Sequence, residues 1–175
     1  MIIPLFFMEP LTGQWAFRVL QILWDMMSIM GGLNLIMTRN SMVSGGFGMN
    51  HFFQYTKSIL DKKKTPFLST IFTISSHEPY IIPKKYEGKF DKGNLPMHQC
   101  VGYTDYSIRK FFESCRNSTW FEDTIFIFTA DHGNQTFYPF YEKMVNRFAN
   151  PLMIYKLNSD LVGVDNQLAS HMDIF

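Results

Sequence analysis

The chain has 175 residues with 46% hydrophobic and 17% aromatic content, which is enough for one domain with a buried core and excludes wholesale disorder. Sixteen basic and fifteen acidic residues give a formal net charge of +1, so the electrostatic footprint of a nucleic-acid-binding protein is missing. The longest apolar stretches fall far short of the roughly 20 residues that span a bilayer. As it stands, the chain predicts neither a membrane anchor nor an export signal.

The composition changes sharply near residue 50. Residues 1–50 hold eight of the twelve methionines, no lysine and only two acidic residues, Glu9 and Asp25. Residues 51–175 hold eleven lysines and thirteen acidic residues. We therefore expect the chain to divide into two segments, residues 1–51 and residues 52–175.

The second segment has the alternation of elements that is typical of an α/β protein. Residues 65–76 predict a buried strand because they are apolar and β-branched, and residues 81–94 predict a loop. Residues 95–115 predict a long helix, and residues 123–130 and 151–155 predict two further strands. Strands separated by helical stretches predict an α/β fold with a mainly parallel sheet flanked by helices.

The predicted helix carries both cysteines of the chain. Cys100 and Cys115 would lie about 22 Å apart in a helix, so they cannot bridge each other without melting it. The apolar side chains predicted on or near its buried face are Val101, Ile108, Phe111 and Phe112.

The sharpest chemical pattern is Ala130-Asp131-His132-Gly133, at the end of a predicted strand. In an open α/β sheet the carboxyl ends of the strands line the ligand crevice. A carboxylate and an imidazole on adjacent residues can both reach one divalent cation, and a glycine lets the backbone bend away from it. We expect Asp131 and His132 to bind a metal; the alternative is that Asp131 caps a helix and His132 bonds to backbone.

A second pattern, Ser75 through Tyr80 (SSHEPY), also follows a predicted strand. His77 would then face the same edge of the sheet as Asp131 and His132. Its imidazole could donate to a phosphate or sulfate oxygen, or act as an acid or base. The alternative is a loop histidine whose hydrogen bonds are satisfied locally, before a proline turn.

Other candidates have weaker support. His171 follows Ser170, which predicts a helix cap and explains the neighbourhood without a ligand role. His51 and His98 have no supporting constellation. The two glycosylation patterns, at Asn117 and Asn134, are short enough to arise by chance.

Five segments, in this order, resemble the sulfatase-type catalytic domain of lipoteichoic acid synthase and related phosphoglycerol transferases, in the alkaline-phosphatase superfamily. They are FLSTIFTISSHEPY, YTDYSIRKFFESC, WFEDTIFIFTADHG, NPLMIY and ASHMDIF. The resemblance covers about residues 52–175, and the combination is specific although each piece alone is not.

The resemblance implies an α/β domain with a divalent metal, manganese above magnesium or zinc, bound by a glutamate, a nucleophilic threonine and an Asp-His pair. The pair corresponds to Asp131 and His132, and a substrate-binding histidine corresponds to His77. The implied reaction is a two-step displacement in which the threonine oxygen attacks a phosphodiester and forms a phosphoglycerol-enzyme intermediate. The implied donor is a glycerophospholipid head group, and the implied location is the outer side of the cell membrane, held there by upstream helices.

The family's glutamate and threonine have no equivalent in residues 1–64, so we expect this chain to lack its nucleophile and to be inactive alone. We interpret residues 1–51 as an out-of-frame reading of the same gene. Met and Trp each have a single codon, so a Met or Trp followed by a known residue fixes the amino acid that the reading frame one base earlier would encode. This holds at eight positions, and all eight fit the family's sequence before this point. The alternative is a divergent N-terminus with a membrane-surface helix over residues 15–30.

Three functions remain open from the sequence. The first is a fragment of a metal-dependent phosphoglycerol transferase that acts on phosphodiester substrates. The second, in the same superfamily, is sulfate-ester hydrolysis. The third, from another class, is a non-catalytic structural or interaction module in which His77, Asp131 and His132 have structural parts.

Overall fold

The computed structural model describes residues 33–35, 48–64, 66–73, 75–160 and 162–174. Two helices and four short strands form its regular elements, joined by turns and short 3₁₀ segments. In chain order they are β1 (Leu33–Leu35), α1 (Met49–Leu60), β2 (Ser69–Ile71), α2 (Pro96–Cys115), β3 (Phe126–Phe128) and β4 (Met153–Tyr155).

Helix α1 packs against α2 and forms one side of the core. Its buried residues, Met49, Phe52, Phe53, Thr56 and Leu60, recur every three or four positions, as an amphipathic helix requires. The ring of Phe53 lies 5.2 Å from that of Phe111 on α2, so the two helices share an aromatic contact.

The predicted helix over residues 95–115 is confirmed as α2, and Pro96 occupies its first turn, where a missing N–H costs nothing. Its buried stripe consists of Cys100, Tyr103, Ser107, Phe111 and Cys115. The prediction for Val101 is wrong: its side chain is 47% exposed, because it lies about 100° around the helix from Cys100. The two cysteines are buried and unbridged, as predicted.

A polar contact closes the end of α1 against the turn that follows α2. Asp61 accepts hydrogen bonds from Ser118 Oγ at 2.7 Å and from Trp120 Nε1 at 2.9 Å. Lys57, one turn earlier on α1, pairs with the same carboxylate. This carboxylate therefore joins two segments that lie more than fifty residues apart in the chain.

The strands form two separate pairs. Strand β1 is parallel to β2, with Leu33 opposite Ser69, and β3 is antiparallel to β4, with Ile127 opposite Ile154. The α/β class is confirmed, but the β3–β4 pair departs from the mainly parallel arrangement predicted. The connection from β3 to β4 contains no α-helix, so the chain returns beside β3 without the crossover that a parallel pair needs. Strands β2, β3 and β4 are each shorter than the predicted strand that contains them.

The predicted loop over residues 81–94 is confirmed, with one 3₁₀ turn at Lys84–Tyr86. Tyr86 is buried there, and its ring lies 5.0 Å from Tyr103 and 6.3 Å from Phe90. The loop thus contributes an aromatic cluster to the core beside α2.

The N-terminal segment is largely outside the described residues. Of residues 1–51, the structure describes 33–35 and 48–51, so the interpretation of this segment as out of frame, and its alternative with a helix over residues 15–30, stay predictions. Within the described ranges, neither helix has the length and apolarity needed to cross a membrane.

Candidate metal centre

The Asp131-His132 pair lies in a turn that begins three residues after β3. The backbone N–H of His132 donates to Asp131 Oδ1 at 2.9 Å, which fixes the carboxylate against its own turn. On the other side of the ring, His132 Nδ1 lies 2.9 Å from the carbonyl oxygen of Gly133. The carbonyl can only accept, so Nδ1 carries the proton in this contact.

This arrangement points the second ring nitrogen of His132 towards the carboxylate. His132 Nε2 lies 3.6 Å from Asp131 Oδ2, too long for a direct hydrogen bond. Both side chains are about a quarter exposed, at 28% and 27%. The two atoms are therefore close together, on side chains that are partly exposed to solvent.

The pair fits a divalent cation. Metal–ligand distances of about 2.0–2.2 Å allow two ligand atoms on one ion to lie up to roughly 4.2 Å apart. The 3.6 Å between Asp131 Oδ2 and His132 Nε2 is within that limit. Metal-binding histidines almost always donate their other ring N–H to a carboxylate, a carbonyl or water, as His132 does to Gly133.

Two ligands do not complete a site. Among the residues that the structure describes, no group of three or more His, Cys, Asp or Glu side chains is placed to hold an ion. A structural metal site has four ligands as a rule, and a catalytic site has three with an open position. The pair thus supplies part of a coordination sphere.

The turn is held on both sides by contacts from distant residues. Before it, the carbonyl of Ala130 lies 3.4 Å from Asn150 Nδ2 and 3.0 Å from His171 Nε2. After it, the N–H of Gly133 donates to the carbonyl of Arg147. A Cβ at Gly133 would lie 3.3 Å from that carbonyl oxygen, so glycine permits the close approach.

His77 lies in a tight turn after β2. Its carbonyl accepts the N–H of Tyr80 at 3.0 Å, and its Nδ1 lies 3.1 Å from the carbonyl of Glu78, which is joined to Pro79 by a cis peptide bond. Tyr80 has a φ of 56°, in the left-handed region that non-glycine residues seldom adopt.

The two predicted loops meet through Tyr80. Asn134 Nδ2, two residues after His132, donates to Tyr80 Oη at 2.8 Å. The loop that carries His77 and the turn that carries Asp131 and His132 are therefore neighbours, but they do not share the edge of one sheet as predicted, because β2 and β3 belong to separate strand pairs. The contact is made by Tyr80 and not by His77.

Sequence reasoning missed two polar residues at this site. Asn134 was noted only for its glycosylation pattern, yet its amide joins the two loops. Asn150 enters the sequence analysis only as the first residue of NPLMIY, yet its amide reaches the carbonyl before Asp131. A signal was available from position, since Asn134 directly follows the segment that ends in ADHG and Asn150 begins NPLMIY, but a polar side chain in a loop has no periodicity to mark it.

His98, which lies on α2, makes its own contacts. His98 Nδ1 accepts the N–H of Asn94 at 3.1 Å, and its ring lies 6.1 Å from that of Phe137. It lines an open groove of about 610 Å³ beside α2 whose other walls carry both signs of charge: Lys89 and Arg109, Asp91 and Asp105. This mixed lining indicates no particular ligand.

Comparison with known proteins supplies the family. The sulfatase family matches residues 28–175, which is most of the chain. The chain is also similar to a crystal structure of a protein in the alkaline phosphatase superfamily from Vibrio parahaemolyticus, at 29% identity and a TM-score of 0.51. That match covers 63% of this chain and 28% of the Vibrio chain, so this chain spans little more than a quarter of that protein's length. The chain belongs to the sulfatase family, and its fold is a partial α/β domain of the alkaline-phosphatase superfamily.

Proposed function

We propose that this chain carries the Asp-His part of the metal centre in an enzyme that cleaves or transfers phosphate esters, of the phosphoglycerol transferase type. The observation that supports it is the geometry of one turn. His132 donates Nδ1–H to Gly133 and turns Nε2 towards Asp131 Oδ2, 3.6 Å away. The bond to Gly133 is one that a structural histidine would also make, so the approach of Nε2 to the carboxylate is the observation that favours a ligand role.

Asp131 and His132 would hold the ion through Oδ2 and Nε2, and manganese is the metal we propose, with magnesium or zinc as alternatives. Bound there, a divalent cation neutralises charge on oxygens of the ester. The resemblance assigns the other ligands to a glutamate and a nucleophilic threonine. A chain without them is expected to bind metal weakly and to be inactive alone.

We assign His77 to substrate binding. Its Nδ1 faces the carbonyl of Glu78, so the neutral ring has its proton there and its Nε2 is an acceptor. In that state it would accept from a hydroxyl such as one of glycerol. When protonated, Nε2 would donate to a non-bridging oxygen of the ester.

The proposed donor is a glycerophospholipid head group, and the proposed location is the outer face of the cell membrane. Both rest on the resemblance of the five segments to phosphoglycerol transferases. The sulfatase family acts on sulfate and phosphate esters, which agrees in kind with such a substrate. Sulfate-ester hydrolysis is the second candidate, because the same family match supports it directly.

The test joins residues 48–175, which keep α1 whole, to the upstream part of a sulfatase domain and measures manganese-dependent cleavage of a phosphodiester and a sulfate ester. Asp131→Asn and His132→Gln should each lower the rate by about 100-fold or more, because each removes a ligand. Asp105→Asn is the matched control, since Asp105 is an exposed aspartate on α2 paired with Arg109.

Preference for the phosphodiester supports the transferase type, and preference for the sulfate ester supports the second candidate. A folded, manganese-loaded protein that cleaves neither would overturn the enzyme proposal and favour a non-catalytic module. Equal loss in Asp105→Asn would contradict the special role of Asp131.

A further inference from the structure

The carbonyl of Ala130 receives two side chains from parts of the chain far from it. His171 Nε2 lies 3.0 Å away, across 41 residues, and Asn150 Nδ2 lies 3.4 Å away, across 20 residues. The hydroxyl of Thr129 is also 3.4 Å from His171 Nε2. Ala130 is the residue before Asp131, so this carbonyl belongs to the peptide from which Asp131 extends.

His171 is held in place by its own short element. It begins the 3₁₀ turn His171–Ile174. In this turn the backbone N–H of Met172 donates to Ser170 Oγ at 3.2 Å. Asp173 accepts from the N–H and the hydroxyl of Ser170, at 2.6 Å and 2.9 Å. The predicted cap at Ser170 is confirmed, and with Asp173 it forms a reciprocal capping arrangement. The next residue, Ile174, is buried and anchors the turn.

The capping contacts leave the imidazole of His171 unexplained. Ser170 and Asp173 satisfy the turn without it, and a histidine is not required by the 3₁₀ geometry. Since a carbonyl oxygen can only accept, Nε2 of His171 must carry the proton. The ring therefore acts as a donor to the backbone immediately before the Asp-His pair.

We propose that His171 is a positioning residue for Asp131 and His132: its Nε2–H bond to the Ala130 carbonyl fixes the peptide that sets the direction of both side chains. The expected effect on metal binding rests on the proposed function, whereas the hydrogen bond itself does not. Outer hydrogen-bond partners of this kind commonly change metal affinity by about 10- to 100-fold when removed.

Two amides of the turn report its order without any metal. The N–H of His132 is bonded to Asp131 Oδ1, and the N–H of Gly133 is bonded to the Arg147 carbonyl. Both exchange with solvent when the turn opens. If the His171 bond contributes as a typical hydrogen bond does, its loss should speed the exchange of both amides by about fivefold.

The experiment compares His171→Leu with His171→Gln in the full chain, by NMR-detected hydrogen exchange without metal. Glutamine places an amide N–H at the same number of bonds from Cα as His Nε2, whereas leucine of similar size has no donor. Amides of α2 between Tyr103 and Phe111 give an internal reference for global folding. Manganese titration of the same three proteins is the second readout.

We expect His171→Leu to show the faster exchange at His132 and Gly133, and His171→Gln to remain within about twofold of the parent, with α2 unchanged in both. Equal protection in all three proteins would overturn the proposal. Equal loss in both variants would also overturn it, because the ring and not the donor would then matter. If the exchange result holds but no variant or parent binds manganese, the positioning role stands and the metal proposal fails.

Discussion

The chain contains two regions that differ in how they are stabilised. From Met49 to Phe128, two helices and the turns around them bury nearly all of the large side chains of the core. Among the described residues from 133 to 174, Ile174 alone is buried. Most of the other apolar side chains there are exposed. The exposed set includes Phe140, Met144, Val145, Phe148, Met153, Val162 and Leu168.

The region that stabilises the fold is therefore not the region that carries the candidate site. The helical region supplies the burial that resists unfolding, whereas the turn with Asp131 and His132 is fixed by individual hydrogen bonds that join it to residues 80, 147, 150 and 171. Core changes should therefore unfold the chain, and changes around the turn should alter its order with little effect on global stability. The predictions below test this division, from the largest expected effect to the smallest.

The largest effect should come from Phe111→Ala. Phe111 is buried on α2 against Phe53, so truncation leaves a cavity and should lower the free energy of unfolding by about 3–5 kcal/mol. Met144→Ala is the matched change in the other region, where the side chain is 77% exposed, and it should cost less than about 0.5 kcal/mol. Urea titration followed by tryptophan fluorescence measures both. Similar losses in the two variants would contradict the division.

The buried thiols offer a second test. Burial raises the pKa of Cys115 to about 11 and also raises that of Cys100, so neither is a thiolate near neutral pH. At pH 8 a thiol reagent should label both on the order of 1,000-fold more slowly than in the denatured chain. Val162→Cys, at a position that is 93% exposed, should label at the denatured rate.

The raised pKa of Cys115 predicts that the free energy of unfolding depends on pH. Because the pKa of Cys115 is raised in the folded chain, its contribution to stability is present below pH 9.0 and is lost as the pH rises to about 11. The free energy of unfolding of the parent should therefore fall over that window, and that of Cys115→Ala should fall less. Identical slopes would show that this thiol is not the group responsible.

A smaller effect is expected at Asp61. Burial alone raises the pKa of this carboxyl, but hydrogen bonds from Lys57, Ser118 and Trp120 outweigh it and hold the pKa below 3.8. A lowered folded pKa means that the contribution is present above the unfolded pKa and is lost as the pH falls through the folded one. Asp61→Asn should cost about 1 kcal/mol at pH 7 in thermal unfolding, and less at pH 3.

The control for that experiment is Asp105→Asn, which removes an exposed ion pair with Arg109 and should change little at either pH. An equal pH response in both variants would contradict the special position of Asp61 between α1 and the turn after α2.

The smallest global effect should follow Tyr80→Phe. The change removes the bond from Asn134 to Tyr80 Oη and should cost about 0.5–1 kcal/mol. Locally, the amides of residues 133–136 should exchange faster, as the two loops separate. Tyr138→Phe, at a tyrosine that is 63% exposed, is the control and should leave their exchange unchanged. Unchanged exchange in Tyr80→Phe would mean that the loops are neighbours for another reason.

The long helix was predictable from the sequence, and so was the place of the candidate Asp-His pair just after a strand. A 3.6-residue apolar period over 95–115 and apolar runs that end just before Ser75 and Asp131 are local signals. Helix α1 has no counterpart among the predicted elements, because it begins at Met49 and crosses the change in composition near residue 50. Tyr86 was missed because a charged loop gives no sign that one of its rings is buried.

By itself, the sequence determined which residues bring carboxylate and imidazole chemistry together, since Asp131 and His132 are adjacent in the chain. It also determined the α/β class through the alternation of apolar runs and helical periods. Only the tertiary structure decided that β4 returns antiparallel to β3, that Tyr80 joins Asn134, and that His171 reaches the carbonyl of Ala130. The two side-chain contacts link residues 54 and 41 positions apart, and their geometry depends on how helices and turns pack, which no local pattern encodes.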